Sequence, residues 1–165
     1  MEWRVTEDVT RYMYTDPVLD KTKQEAWYDK ISKDDAVKYW VVAYDQQSFA
    51  VAHLYDISKQ HLRCFYGHYI GEKNYREKGM AKHISCNIYD YVFFTLGLNK
   101  ICAEIVSSNK KVIEMAKKRG YEQEGYFKQH IYKNGQTLDV VRMCYFSKAW
   151  QQVRTKVNYQ SVTIK

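Results

Sequence analysis

The 165-residue chain has a single proline, Pro17, and neither a low-complexity run nor an internal repeat. Linkers between domains are commonly rich in proline, glycine and polar residues, so one domain is predicted. The four cysteines, Cys64, Cys86, Cys102 and Cys144, lie one to an apolar segment with no Cys-x-x-Cys spacing. That scatter argues against a zinc ribbon and a disulfide framework; reduced core cysteines and no metal site are expected. No apolar stretch approaches the ~20 residues of a membrane helix. The charged opening MEWRVTEDVT has no apolar segment of the secretory kind. A soluble, cytoplasmic protein without a membrane partner is the expectation.

Aromatic residues, by contrast, are abundant at 16%, with 16 tyrosines, and hydrophobic residues make up 45%. Disordered chains are poor in both, and a chain of this length can bury a real core. The net charge of +7 predicts attraction to polyanions. Nucleic acid, a nucleotide cofactor and a nucleotide-linked substrate all qualify. The basic residues are dispersed rather than blocked, which weighs against nucleic acid.

Along the chain, residues 3–14 are weakly amphipathic and predict a helix, which Asp16-Pro17 ends. Residues 20–32 predict a second helix. Strands are expected at 37–44, 49–57 and 62–70, with a bulge near Gly67. Apolar residues at Met80, Ile84, Ile88, Val92 and Leu96 predict a helix with one buried stripe. A strand at 100–106 and a helix opened by Ser107-Ser108-Asn109 and closed at Gly120 follow. Two last strands meet at Asn134-Gly135, a type I′ signal. The crossover at 62–106 implies two parallel neighbours in an otherwise antiparallel sheet.

The stretch REKGMA (76–81) joins a strand to the start of a long helix. Free N–H groups and the positive end of the helix dipole gather there, a setting that favours pyrophosphate. Taken alone, the same residues fit a solvated basic loop.

From strand 62–70 to Gly120-Tyr121, the chain resembles the GCN5-related N-acetyltransferases (GNAT). Arg76, Gly79 and Ala81 match that family's Q/R-x-x-G-x-G/A loop, and Asn109 and Lys118 match positions on the next helix. The resemblance implies an α/β GNAT fold with helices on both faces of a mostly antiparallel sheet. Acetyl-coenzyme A would be cosubstrate, its pyrophosphate held by the loop amides of Arg76, Glu77, Lys78, Gly79, Met80 and Ala81. Backbone N–H groups at Tyr69, Ile70 and Gly71 would face the thioester carbonyl. Glu104, Glu72 and His68 are the candidate bases. Many members carry a tyrosine seven residues after the asparagine, able to protonate the leaving thiolate; here that position is Ala116.

YMYTD and YGHYIGE narrow the resemblance to PseH-type enzymes, which acetylate the 4-amino group of a UDP-linked amino-dideoxy sugar. Tyr14, Thr15, Asp16, Trp27, Tyr66 and His130 would then contact the acceptor. A ribosomal-protein N-terminus and a polyamine are the alternative acceptors, the basic net charge disfavouring the latter. A weakly active or non-catalytic acyl-CoA-binding protein is the alternative that Ala116 raises. The resemblance spans a domain at 1–147. The family's first edge strand is expected to be missing. The tail, 148–165, has strand-like alternation in KVNYQSVTIK and is expected to cover a sheet edge, in its own subunit or in a homodimer.

Overall fold

A computed structural model describes residues 2–164. Seven strands form one sheet in the order β5-β6-β4-β3-β2-β1-β7. They are β1 Lys38–Tyr44, β2 Gln47–Ser58, β3 Arg63–Ile70, β4 Lys100–Val106, β5 Glu122–Lys133, β6 Gln136–Phe146 and β7 Thr163–Ile164. The helices are α1 Glu7–Thr10, α2 Lys21–Ile31, α3 Met80–Asp90, α4 Lys110–Lys118 and α5 Ser147–Val153. Among the described residues, only β3 and β4 run parallel, with α3 in the crossover between them. This is the mixed α/β sheet of the GNAT fold.

The predicted stripe buries Met80, Ile84 and Ile88 on α3, each contributing roughly 1.5–3 kcal/mol. Past Asp90 the helix widens to π geometry over Tyr91–Thr95. The wider turn lets the neighbours Val92 and Phe93 both be buried. The helix expected over 3–14 is broken instead. A 3-10 turn at Glu2–Val5 and the single turn of α1 flank Thr6, which is extended. Trp3, Arg4 and Asp8 then reach separate partners, which one regular helix face would not allow.

No bulge forms at Gly67: the β2/β3 register is unbroken from Leu54↔Tyr66 to Ala50↔Ile70. The glycine makes room for a ring instead, because a Cβ there would lie 2.6 Å from the His53 imidazole. The tail pairs with β1 of its own chain through Val42↔Ile164 and Ala43↔Thr163. Asp90 fastens it, accepting from Trp150 Nε1 at 2.9 Å, from Arg154 Nε at 2.6 Å and from the Tyr159 hydroxyl. All four cysteines are buried and free.

Candidate active site

β3 and β4 pair only at Arg63↔Lys100, Cys64↔Ile101 and Phe65↔Cys102. Beyond these, β3 stays on β2 as far as Ile70, and β4 stays on β6 as far as Val106. A wedge-shaped cleft opens between them, edged by backbone groups that no ladder satisfies. Bonded and non-bonded pairs alternate along an antiparallel ladder. The Gly71 N–H donates to the Phe49 carbonyl at 2.9 Å, which turns Gly71, and Tyr69 two residues earlier, toward β2. Of the three amides expected at the cleft, only that of Ile70 faces it.

The loop after β3 is the best-formed part of the site. Glu77 and Gly79 both have positive φ, +62° and +76°, and Gly79 precedes the first residue of α3. Nothing stands within 4 Å of where a Gly79 Cβ would be. Among the described residues, no group accepts from the amides of Glu77, Lys78, Gly79, Met80 or Ala81. Five consecutive free donors at a helix N-terminus make an anion cradle. Arg76 does not belong to it. Its amide donates to Lys73 O at 3.0 Å. Its guanidinium ties the loop to the end of β3, on Ile70 O and Gly71 O, both at 3.1 Å, and to Asp8. Lys111, in the first turn of α4, pairs with Glu77 at 3.2 Å, so the two helix starts adjoin. The Asn109 side chain caps α4 by accepting from Val112 N, and Lys118 is exposed at the far end of that helix.

Strand alternation divides the remaining candidates between two faces. Tyr66 and His68 face α3. Tyr66 is 6% exposed, its hydroxyl 3.4 Å from Ser85 Oγ, so it is a core residue and not an acceptor contact. His68 stacks on it. Burial, with the Arg119 and His53 charges adding, pulls the His68 imidazole down to about 4. So weak a base is poorly matched to an ammonium at neutral pH.

On the opposite face, Glu104 accepts from Arg142 Nη2 at 2.6 Å, Arg142 Nε at 3.1 Å and the Tyr14 hydroxyl at 2.9 Å. Burial and the carboxylate push the Tyr14 hydroxyl well above its ordinary range, so it stays a donor. Glu104 therefore has three of its roughly four acceptor positions engaged and is an organiser rather than a free base. Glu72, just past β3, is exposed. Its Oε1 accepts from Trp3 Nε1 at 2.8 Å, and Oε2 has no partner among the described residues.

Sequence reasoning missed the residues that set this face. Lys133 at the β5 hairpin tip is nearly buried. It holds Thr10 O at 2.7 Å, Met13 O at 2.9 Å and Asp16 Oδ1 at 2.7 Å, which delivers Tyr14 to Glu104. Asp16, bonded also to Asn134, and Thr15, bonded by Arg4 at 3.1 Å, are engaged within the chain. The Arg142 guanidinium lies 5.2 Å from the Phe65 ring and 4.7 Å from that of Phe127. Trp27, Tyr39, His53, Tyr55 and Phe65 follow one another as an aromatic wall, centroids 4.9–5.7 Å apart. His130 stands exposed beside Phe127. A cavity of about 300 Å³ continues this face toward the paired end of β3 and β4, lined among others by Asp56, Lys100 and Glu124.

Residues 1–122, which include the cleft, the cradle and α4, match the model of the acetyltransferase (GNAT) domain. A spermidine N(1)-acetyltransferase of Escherichia coli K12 is 29% identical over 138 residues, 84% of this chain and 74% of that protein. The one from Vibrio cholerae is 26% identical over 137 residues, 82% of this chain and 79% of that protein. The crystal structure of the spermidine N-acetyltransferase from Vibrio cholerae in complex with CoA and spermine superposes with a TM-score of 0.84. It covers 91% of this chain and 89% of that one at 22% identity, a likeness of fold. Matched in family over nearly three quarters of its length and in fold over 91% of it, the chain belongs to the GNAT acetyltransferases, N-acetyltransferases whose cosubstrate is acetyl-coenzyme A.

Proposed function

We propose that this enzyme acetylates a primary amine of a polyamine. The observation that carries the reading is the similarity to spermidine acetyltransferases along 84% of the chain. The acceptor face supports it. Aromatic faces suit a chain of ammonium groups, and the carboxylates Glu104, Glu124 and Asp56, paired at 2.6 Å with Arg142, Lys100 and Arg63 respectively, would receive it by exchange of partners. The net charge of +7 is a property of the whole surface. Much of it gathers where the phosphates of coenzyme A would lie, at Lys78, Lys82, Lys110 and Lys111. It does not decide the local field at the acceptor. The nucleotide-sugar reading loses its support, because Thr15 and Asp16 are engaged internally and Tyr66 is in the core.

The amides of residues 77–81 would hold the pyrophosphate. Ile70 N–H would donate to the thioester carbonyl as negative charge develops on it. Glu72, directly or through a water, would take the ammonium proton. Glu104, fixed by Arg142 and Tyr14, would orient the amine. A thiol-release assay with acetyl-CoA and spermidine, a UDP-4-amino-dideoxy sugar or an N-terminal peptide tests the acceptor. Turnover is expected with spermidine. Turnover with only the sugar or the peptide contradicts the reading.

A further inference from the structure

Arg119 caps the C-terminal end of α4, and its side chain turns inward. Nη1 lies 3.3 Å from Ser85 Oγ, and Ser85 is 1% exposed. That hydroxyl also meets the Tyr66 hydroxyl, on the first β3 residue past the last β3–β4 pair. The guanidinium thus lies beneath the cleft on its helix side. Among the described residues, no carboxylate forms an ion pair with it. Burial is the main influence on Tyr66 and His68 of β3, on Cys86 and Tyr89 of α3 and on Tyr121 after α4, and all five also feel the Arg119 charge.

A half-buried cation without a counter-ion costs free energy. Such a cost is commonly met at sites where the opposite charge comes with a ligand or with the reaction. Ala116 lies three residues before Arg119, on the same side of α4. Helix side chains lean toward the N-terminus, so a long side chain at 119 leans back toward Ala116, which is partly buried against the core.

We infer that Arg119 bears on the leaving sulfur of coenzyme A, supplying a fixed positive charge on the side of the cleft where Ala116 supplies no proton. The inference rests on the acetyl-CoA reaction proposed above. In that reaction the amine lone pair forms the carbon–nitrogen bond. One ammonium proton passes to Glu72 or water to free that lone pair, the nitrogen's second proton passes to water after attack, and the carbon–sulfur bond breaks with its electron pair going to sulfur. The sulfur then leaves as thiolate. A guanidinium donates hydrogen bonds to it while keeping its own protons, and an adjacent cation lowers a thiol pKa from its usual value near 8.5.

The test is a pH titration, by NMR, of coenzyme A labelled with ¹³C at the carbon bonded to sulfur and bound to the full chain. In the wild type, the bound thiol is expected to titrate about one unit or more below the free thiol. In Arg119→Leu it returns to the free value, while affinity for coenzyme A changes by less than about threefold and kcat falls roughly tenfold to a hundredfold. Arg119→Gln, which keeps a donor toward Ser85 without the charge, is expected to behave like Leu and guards against misfolding of the first variant. Adding Ala116→Tyr to Arg119→Leu restores part of kcat and introduces an alkaline limb in the pH profile. A bound thiol that titrates alike in wild type and Arg119→Gln overturns the role given to Arg119. Failure of the wild type to bind coenzyme A at all contradicts the cofactor reading itself.

Discussion

At the cofactor edge, five successive amides from Glu77 to Ala81 stand free; across the cleft, Glu104, Thr15 and Asp16 already have partners. The cradle is made of backbone, shaped by two positive φ angles and by an Arg76 that ties the loop to the end of β3. It is formed before any ligand arrives, so little reorganisation opposes binding. The acceptor face is made of side chains that satisfy one another. An incoming ammonium must share the Glu104 carboxylate with Arg142 and Tyr14. Cofactor affinity therefore resides in chain geometry, and acceptor selectivity in an exchange of partners.

The sharpest way to separate the two regions is Glu72→Gln. Acceptor turnover is expected to fall a hundredfold or more, with acetyl-CoA affinity by calorimetry unchanged. If Glu104→Gln instead abolished the ionisation seen in the pH profile, the two glutamates would have to exchange roles.

Acid should strike the cleft before it strikes the cradle. His53 and His68 are both pulled from 6.5 to about 4, chiefly by burial. The unfolded chain therefore binds more protons below 6.5. Stability is full above that pH and is lost as pH falls toward 4, by on the order of 3 kcal/mol for each imidazole. Melting temperature measured between pH 7 and pH 4 checks this, and His68→Phe should flatten the curve.

A third variant, Gly79→Val, addresses the other side of the comparison. A β-branched residue at φ +76° is strained, and its side chain would fill the space open to a ligand. Acetyl-CoA affinity is expected to fall about tenfold or more. The acceptor KM at saturating acetyl-CoA should stay within about twofold, because that face is built without the loop.

The smallest effect belongs to neither region. Deleting 156–165 removes β7 and the Tyr159 contact to Asp90. It should lower the melting temperature by about 5 °C and leave acetyl-CoA binding unchanged.

The uneven legibility of the sequence follows from the same contrast. Arg76, Gly79 and the Met80 stripe are local signals, and they located the strand–loop–helix unit. The Ile70 amide needed only strand alternation, once the Gly71–Phe49 bond fixed its phase. Arg142 could not be assigned to Glu104 from sequence, because the β4–β6 pairing joins segments 38 residues apart. The grip of Lys133 on residues 10–16 spans more than a hundred positions. Tyr66 and His68 were misplaced for a subtler reason. Alternation separates two faces, and only the packing of Ser85 tells which one is core.

The central claim is that five backbone amides bind the cofactor and one strand amide meets its thioester. Amide chemical shifts recorded during titration with acetyl-CoA test it most directly. The account predicts large, saturable shifts at Glu77, Lys78, Gly79, Met80 and Ala81 and at Ile70, with much smaller ones at Tyr69 and Gly71. Saturable binding that leaves residues 77–81 unmoved would contradict it.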